Sequence, residues 1–299
     1  MKSFLVGMGL LTLCLTIHIP LFAQMPHDAI YMPKKSVCIA GIYGKSTWTN
    51  YWEGSLKREN LNIGTHTTQS VMLMPAIGIT NRVNVILALP FISTSTSAGN
   101  LMGQKGVQDL SGWLKAKLAE REGLSLHGVL GGSIPVSNYV PDFLPMSIGI
   151  RARTATARLL ANYTHPKTGL YLTVHGSYTW RGNIKIDRDA YQANERMYNT
   201  NEVQVPHGSD AAVRLGVVRR KWQLEAFGER MANLSGDNIR RNDMPFPTNN
   251  MQATTVGFYG KVQPRQIGAT VRVGKVIDGL NMGQSTSYMV GILYQIGGL

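Results

Sequence analysis

The chain's 299 residues predict an all-β fold, a transmembrane antiparallel β-barrel of about twelve strands with short periplasmic turns and longer outer loops. Three observations carry that expectation. Between Ser36 and Leu299, stretches of roughly ten residues alternate apolar with polar side chains. The connectors joining them alternate between short and long. The N-terminus reads as an export leader.

Met1 and Lys2 form a positive start, Phe4 to Phe22 a largely apolar run, and Leu21 to Gln24 a cleavage site after Ala23 or Gln24. The domain reading is therefore a signal peptide at 1–24, a short N-terminal segment at 25–35 and a single barrel domain at 36–299. Leu13 precedes Cys14, where a lipoprotein signal wants a small residue, so lipidation is not expected. Removing the leader leaves Cys38 as the single cysteine, which rules out an intrachain disulfide, and no Cys/His spacing suggests a metal site. Beyond the leader no apolar run approaches the ~18 residues of a membrane-crossing helix.

The strands are expected at 36–52, 64–79, 83–95, 109–119, 124–136, 152–164, 169–181, 209–218, 222–232, 251–262, 266–276 and 285–297. Leu170 to Trp180 is the clearest. Leu170, Leu172, Val174, Gly176, Tyr178 and Trp180 fall on one face, and Tyr171, Thr173, His175, Ser177 and Thr179 on the other. Tight connectors follow the even strands: Thr80 to Arg82, Glu120 to Gly123, His165 to Thr168, Arg219 to Lys221 and Gln263 to Arg265. The long ones follow the odd strands, the largest being Arg181 to Gly208 and Asn233 to Asn250. With a periplasmic N-terminus, Tyr178, Trp180 and Tyr288 reach the outer rim and Tyr163, Trp222 and Tyr294 the periplasmic rim, as two interfacial girdles require. The last strand must pair with the first, because an open edge cannot sit in lipid. Its Gly291, Tyr294 and Ile296 are similar to the C-terminal signal read by barrel-assembly machinery, with Leu299 where an aromatic residue usually ends the chain.

Ile77 to Val83, Ala88 to Phe91 and Gly106 to Leu110, in that order, resemble the outer-membrane proteins associated with meta-pathway phenol degradation, loosely described as transporters. The resemblance spans residues 36–182 and rests on short structural motifs. It implies a barrel in the cell outer membrane and a small, hydrophobic or aromatic solute, and it carries over no binding residue.

Formal charge is +13, spread over turns, loops and inward positions. For an exported chain that suits anionic outer-membrane lipid and lipopolysaccharide, or a lumen favouring anions, rather than nucleic acid. Alternation turns Asp109, Lys115, Lys117, His127, Arg158, His175, Arg214, Glu225, Glu229 and Arg272 inward as candidate lumen-lining residues. They form either a charge-paired filling or a selective polar path. His175 and Ser177 have the spacing seen in outer-membrane phospholipase A, yet both point inward here and no acid partner is evident in sequence. No nucleotide loop or zinc-protease motif is present. The sequence thus favours a passive channel for a small solute, with no enzyme activity and no cofactor. A loop-borne binder of a partner or surface ligand is second, and a lipid-active enzyme third.

Overall fold

The structure is a computed structural model that describes residues 24–241 and 243–297. The expected leader, apart from Gln24, and the terminal Leu299 lie outside those residues. Twelve long strands run through the chain. They are β1 (Val37–Trp48), β2 (His66–Thr80), β3 (Val83–Thr96), β4 (Asp109–Arg121), β5 (Leu124–Pro135), β6 (Thr154–Thr164), β7 (Leu170–Arg181), β8 (Gly208–Arg219), β9 (Trp222–Asn233), β10 (Gln252–Val262), β11 (Ile267–Leu280) and β12 (Thr286–Ile296). Each pairs antiparallel with its neighbours, and β12 returns to β1 from Ile296↔Val37 to Thr286↔Thr47, which closes the barrel and leaves no edge.

All twelve strands fall within a few residues of their expected bounds. The first expected strand overran at its outer end. β1 stops at Trp48, and Asn50–Glu53 folds onto Leu56–Glu59 as a separate hairpin, with Gly54 in the left-handed region at φ 57°. Short paired segments also organise the longer connectors, at Ile184–Lys185 with Glu202–Val203 and at Tyr191–Ala193 with Arg196–Tyr198.

Alternation decides the two faces. On β7, Leu172 and Val174 are 43% and 44% exposed, while Thr173 between them is 1% exposed. On β12, Tyr288, Val290, Ile292, Tyr294 and Ile296 all stand outward. Such a continuous apolar belt far exceeds what a water-soluble monomer carries. It is the surface expected of a wall solvated by hydrocarbon, where the closed ladder satisfies every backbone group. Tyr163, Trp222 and Tyr294 ring the short-turn end of this belt, and Tyr178, Trp180 and Tyr288 the long-loop end.

The turns at one end are tight. Glu122 and Gly123 both have positive φ, 50° and 86°, as the two-residue hairpin type requires, and a Cβ on Gly123 would meet the Thr164 carbonyl at 2.5 Å. At the other end the loops fold over the mouth. His66 Nε2 lies 3.0 Å from the Pro145 carbonyl, and Thr94 Oγ1 donates to the Met146 carbonyl at 2.6 Å, drawing residues 136–153 inward. Ile184, Ile186, Tyr191, Val203, Val205 and Phe246 make a separate apolar core there.

Candidate functional site

The lumen has two unlike halves. On β12, β1, β2 and β3, Leu293, Cys38, Ala40, Ile42, Met74, Ala76, Ile86 and Ala88 form an apolar wall. On β4 to β11 the inward positions carry charge. Residues 24–35 enter this space, and Met32, with no exposed surface, packs on the apolar wall together with Met25.

Lys115 on β4 holds the segment. Its ammonium, fully buried, donates to Asp28 Oδ1 at 2.7 Å, the Ile30 carbonyl at 3.0 Å and the Met25 carbonyl at 3.2 Å, using all three of its hydrogens. Asp28 in turn accepts the backbone N–H groups of Met25 at 2.7 Å and Ile30 at 2.9 Å, so one carboxylate both folds the segment and docks it. Tyr31 lies 3.0 Å through its hydroxyl from His127 Nδ1, with the rings stacked, and Lys115 and Lys117 sit 4.9 and 5.6 Å from its ring centre. Asn84 donates to the Met32 carbonyl at 3.3 Å. His27 stacks on His175 at 6.4 Å. Burial, then the facing guanidinium groups of Arg214, Arg158 and Arg272, holds the His27 imidazole well below its usual range.

Opposite the apolar wall, Arg214 pairs with Glu225 at 2.8 Å and Glu229 at 3.3 Å, and Glu229 also accepts Arg272 at 2.5 Å. Phe227 lies beneath both guanidinium groups, 5.5 Å from Arg214 and 4.2 Å from Arg272. Tyr171 donates to Glu225 at 2.6 Å and accepts Gln223 at 2.7 Å. Charges this deep persist only when paired and hydrogen-bonded, and here the pairing runs across β7, β8, β9 and β11.

A second knot gathers on Asp210 of β8. Arg158 donates to it at 2.9 Å, His175 lies 2.9 Å away through Nε2, and Ser177 donates to its Oδ1. Sequence reasoning found no acid for His175 and Ser177, and the neighbouring strand supplies one. The arrangement is still not a hydrolytic relay, because Ser177 and His175 both bond the carboxylate and not each other.

Of the remaining sequence candidates, Lys117 pairs with Glu120 at 2.9 Å near the short-turn end. Asp109 sits at the loop-covered mouth, where Tyr139 donates to it at 2.7 Å. The candidates therefore fall into separate groups: the segment latch with Lys115, Lys117 and His127, the Arg214 network, the Asp210 knot, and the mouth. Asp28, Asp210 and Lys261 were missed. The two-residue period that found Arg214 and Glu225 would also have found Asp210 and Lys261, whereas Asp28 lies in a segment with no period. No cluster of His, Cys, Asp or Glu among the described residues could hold a metal ion.

Of the spaces open to a small molecule, two bear on the lumen and its mouth. Beside the segment, a cavity of about 120 Å³ is lined by Asp28, Ile30, Asn162, Tyr171, Gln223 and Glu225. Above the mouth, a cleft of about 260 Å³ is lined by Trp48, Tyr51, Ile63, Leu101, Met244 and Pro245, with amides from Asn60, Asn62 and Asn100 at its edge.

No protein-family model matches the chain, and no curated protein does. Among solved structures it is similar to an outer membrane channel from Pseudomonas putida F1, with TM-score 0.69 and 15% identity over 92% of this chain and 100% of that one. It is also similar to the translocator domain of the autotransporter NalP from Neisseria meningitidis, with TM-score 0.51 and 12% identity over 90% of both chains. At such identities the likeness is one of fold, the outer-membrane β-barrel, and the resemblance to the phenol-pathway proteins finds no support at family level.

Proposed function

We propose that this chain is a narrow outer-membrane channel for a small solute, held closed by its own N-terminal segment, and that a leader at 1–24 directs it across the inner membrane. The observation that carries the reading is the combination of a closed barrel, apolar outside and charged within, with residues 25–35 seated in the lumen on Lys115. A barrel used only as a membrane anchor has no need of a buried ion pair between its wall and a removable strap. Twelve strands enclose a lumen too narrow for bulk diffusion of large solutes. Small hydrophobic or aromatic molecules fit the reading, because the outer cleft presents Trp48, Tyr51 and Met244 with a few amides at its edge. We infer no catalytic role, since the Asp210 knot lacks the serine-to-imidazole hydrogen bond.

Single-channel recording in planar bilayers tests this. The full chain should show small or rare conductance steps, and a variant lacking residues 26–32 should show larger and more frequent ones. Silence from both would refute the channel and favour recognition by the loop cap, whose apolar core is organised around Tyr191 and Phe246. Fractionation should leave the protein in the outer-membrane pellet with heat-modifiable migration. A chain recovered as a soluble periplasmic protein would end the outer-membrane reading.

A further inference from the structure

Three cations stand on the outward face of the barrel where a membrane-facing wall would ordinarily be apolar or aromatic. Lys45 on β1, Lys275 on β11 and Arg230 on β9 are all exposed. They share the outward parity of Tyr43, Val271 and Leu224 on their respective strands.

The register shows that they lie at one depth. Crossing the ladder from Lys45 leads through Tyr288, Val273, Phe258, Ala226, Leu215 and Leu172 to Tyr163, from the long-loop end down to the short-turn end. A row perpendicular to the strands therefore descends, by about one residue per strand. Lys275 lies two strands from Lys45 and two residues above Val273, and Arg230 lies two strands further and two residues above Gly228. Each step up offsets the descent, so the three form a level arc. With strands ~4.8 Å apart and ~3.4 Å per residue, neighbouring members of the arc have Cα atoms about 12 Å apart. Tyr288 of the outer aromatic girdle sits between Lys45 and Lys275, which puts the arc at headgroup level.

The arc is confined to one sector. At the same depth on β3, β4 and β5 the outward positions are Phe91, Leu110 and Gly132. Arg230 is held by Thr254 at 3.0 Å and Gln252 at 2.8 Å, with the exposed Asp278 at 3.6 Å as its one carboxylate neighbour. Among the described residues, Lys45 and Lys275 make no ion pair. Below them Val71, Val290, Ile292 and Phe258 offer an apolar wall to acyl chains.

Resting on the outer-membrane reading, we propose that the β9–β1 sector is a docking site for an outer-leaflet lipid that carries two phosphate groups held apart by a rigid sugar spacer. Lys45 takes one phosphate, and Lys275 with Arg230 takes the other. Spaced cations at one level discriminate such a headgroup from a single phosphate, which cannot engage Lys45 and the Lys275–Arg230 pair at once.

The test is binding to the detergent-solubilised full chain, measured by native mass spectrometry with diphosphoryl lipid A, monophosphoryl lipid A and phosphatidylglycerol as probes. Diphosphoryl lipid A should bind most tightly. The pair Lys45→Gln with Lys275→Gln should weaken it on the order of 30-fold, from about 1 kcal/mol per cation at a membrane surface. Lys57→Gln, on the loop hairpin, should leave it unchanged, and Lys45→Arg with Lys275→Arg should retain it. Heat-modifiable migration verifies that each variant is folded. Equal affinity for one and two phosphates, an unaffected double Gln variant, or an equal loss with Lys57→Gln would each overturn the site. Fractionation judges the outer-membrane reading separately, so the two failures are distinguishable.

Discussion

A buried lysine is the residue on which the interior turns. The Lys115 ammonium has no exposed surface, and its hydrogens meet one carboxylate and two carbonyls, all from residues 25–30. Removing one partner of a buried pair leaves the other uncompensated, at about 3–5 kcal/mol. Asp28→Asn and Lys115→Met should therefore each loosen the segment more than the lost contact alone suggests, while the double variant, which removes both charges, should cost less than either. Protease sensitivity of residues 25–35 in the detergent-solubilised barrel checks the order. On the wall, Val174→Arg places a cation outward near mid-belt, at a cost of roughly 2–4 kcal/mol. Thr173→Arg, one residue away but inward, should assemble better in a heat-modifiability assay, and equal damage would contradict the β7 register. Such residues were legible because a two-residue period sorts side chains without knowledge of the fold. Asp28 was not, since its partner stands 87 positions away and no local pattern announces it.

At the scale of elements, the strands were legible throughout and the segment before β1 was not. Ten or so alternating residues declare a barrel strand, whereas residues 25–35 are too few and too irregular to declare a docking surface. The short hairpins inside the loops escaped for the same reason. The segment also carries a prediction for pH. Docked, His27 is half-buried in the field of Arg214, Arg158 and Arg272, and desolvation with those charges holds it well below the usual range, whereas released it should titrate near ~6.5. A lowered docked pKa means that docking is at full strength above ~6.5 and weakens as pH falls below it, because the released state then binds the extra proton. Conductance should rise between about pH 7.5 and pH 5. The segment also faces His175 and His127, Lys115 and Lys117, and Asp210, Glu225 and Glu229 lie nearby, so His27→Gln is the discriminating variant. Loss of most of the acid response in that variant assigns it to His27, and a response left intact assigns it to another of these groups.

For the whole molecule, the question is what the interior charge does once the segment leaves. The described inward cations are Lys115, Lys117, Arg158, Arg214, Lys261 and Arg272, set against Asp109, Asp210, Glu225 and Glu229 on the wall, Glu120 beside Lys117, and Asp28 on the segment. While the segment is docked, Asp28 neutralises Lys115. When it departs it takes that carboxylate with it, and the lumen becomes more positive. A confined cationic wall repels cations and concentrates anions. Reversal potentials under a salt gradient should therefore show anion preference, stronger in the variant lacking residues 26–32 than in the full chain. The preference should fade as salt rises, because the Debye length contracts from ~10 Å at 0.1 M to ~3 Å at 1 M. Arg214 and Arg272 are tied to Glu225 and Glu229, and Arg158 to Asp210, so these arginines act as a paired lattice more than as free charges. Replacing Arg158 and Arg214 with Gln leaves Asp210, Glu225 and Glu229 in place, and the reversal potential should move toward zero or toward cations. An unchanged potential would mean that the conducting path avoids β6 to β9 and runs along the methionine-lined wall vacated by Met25 and Met32.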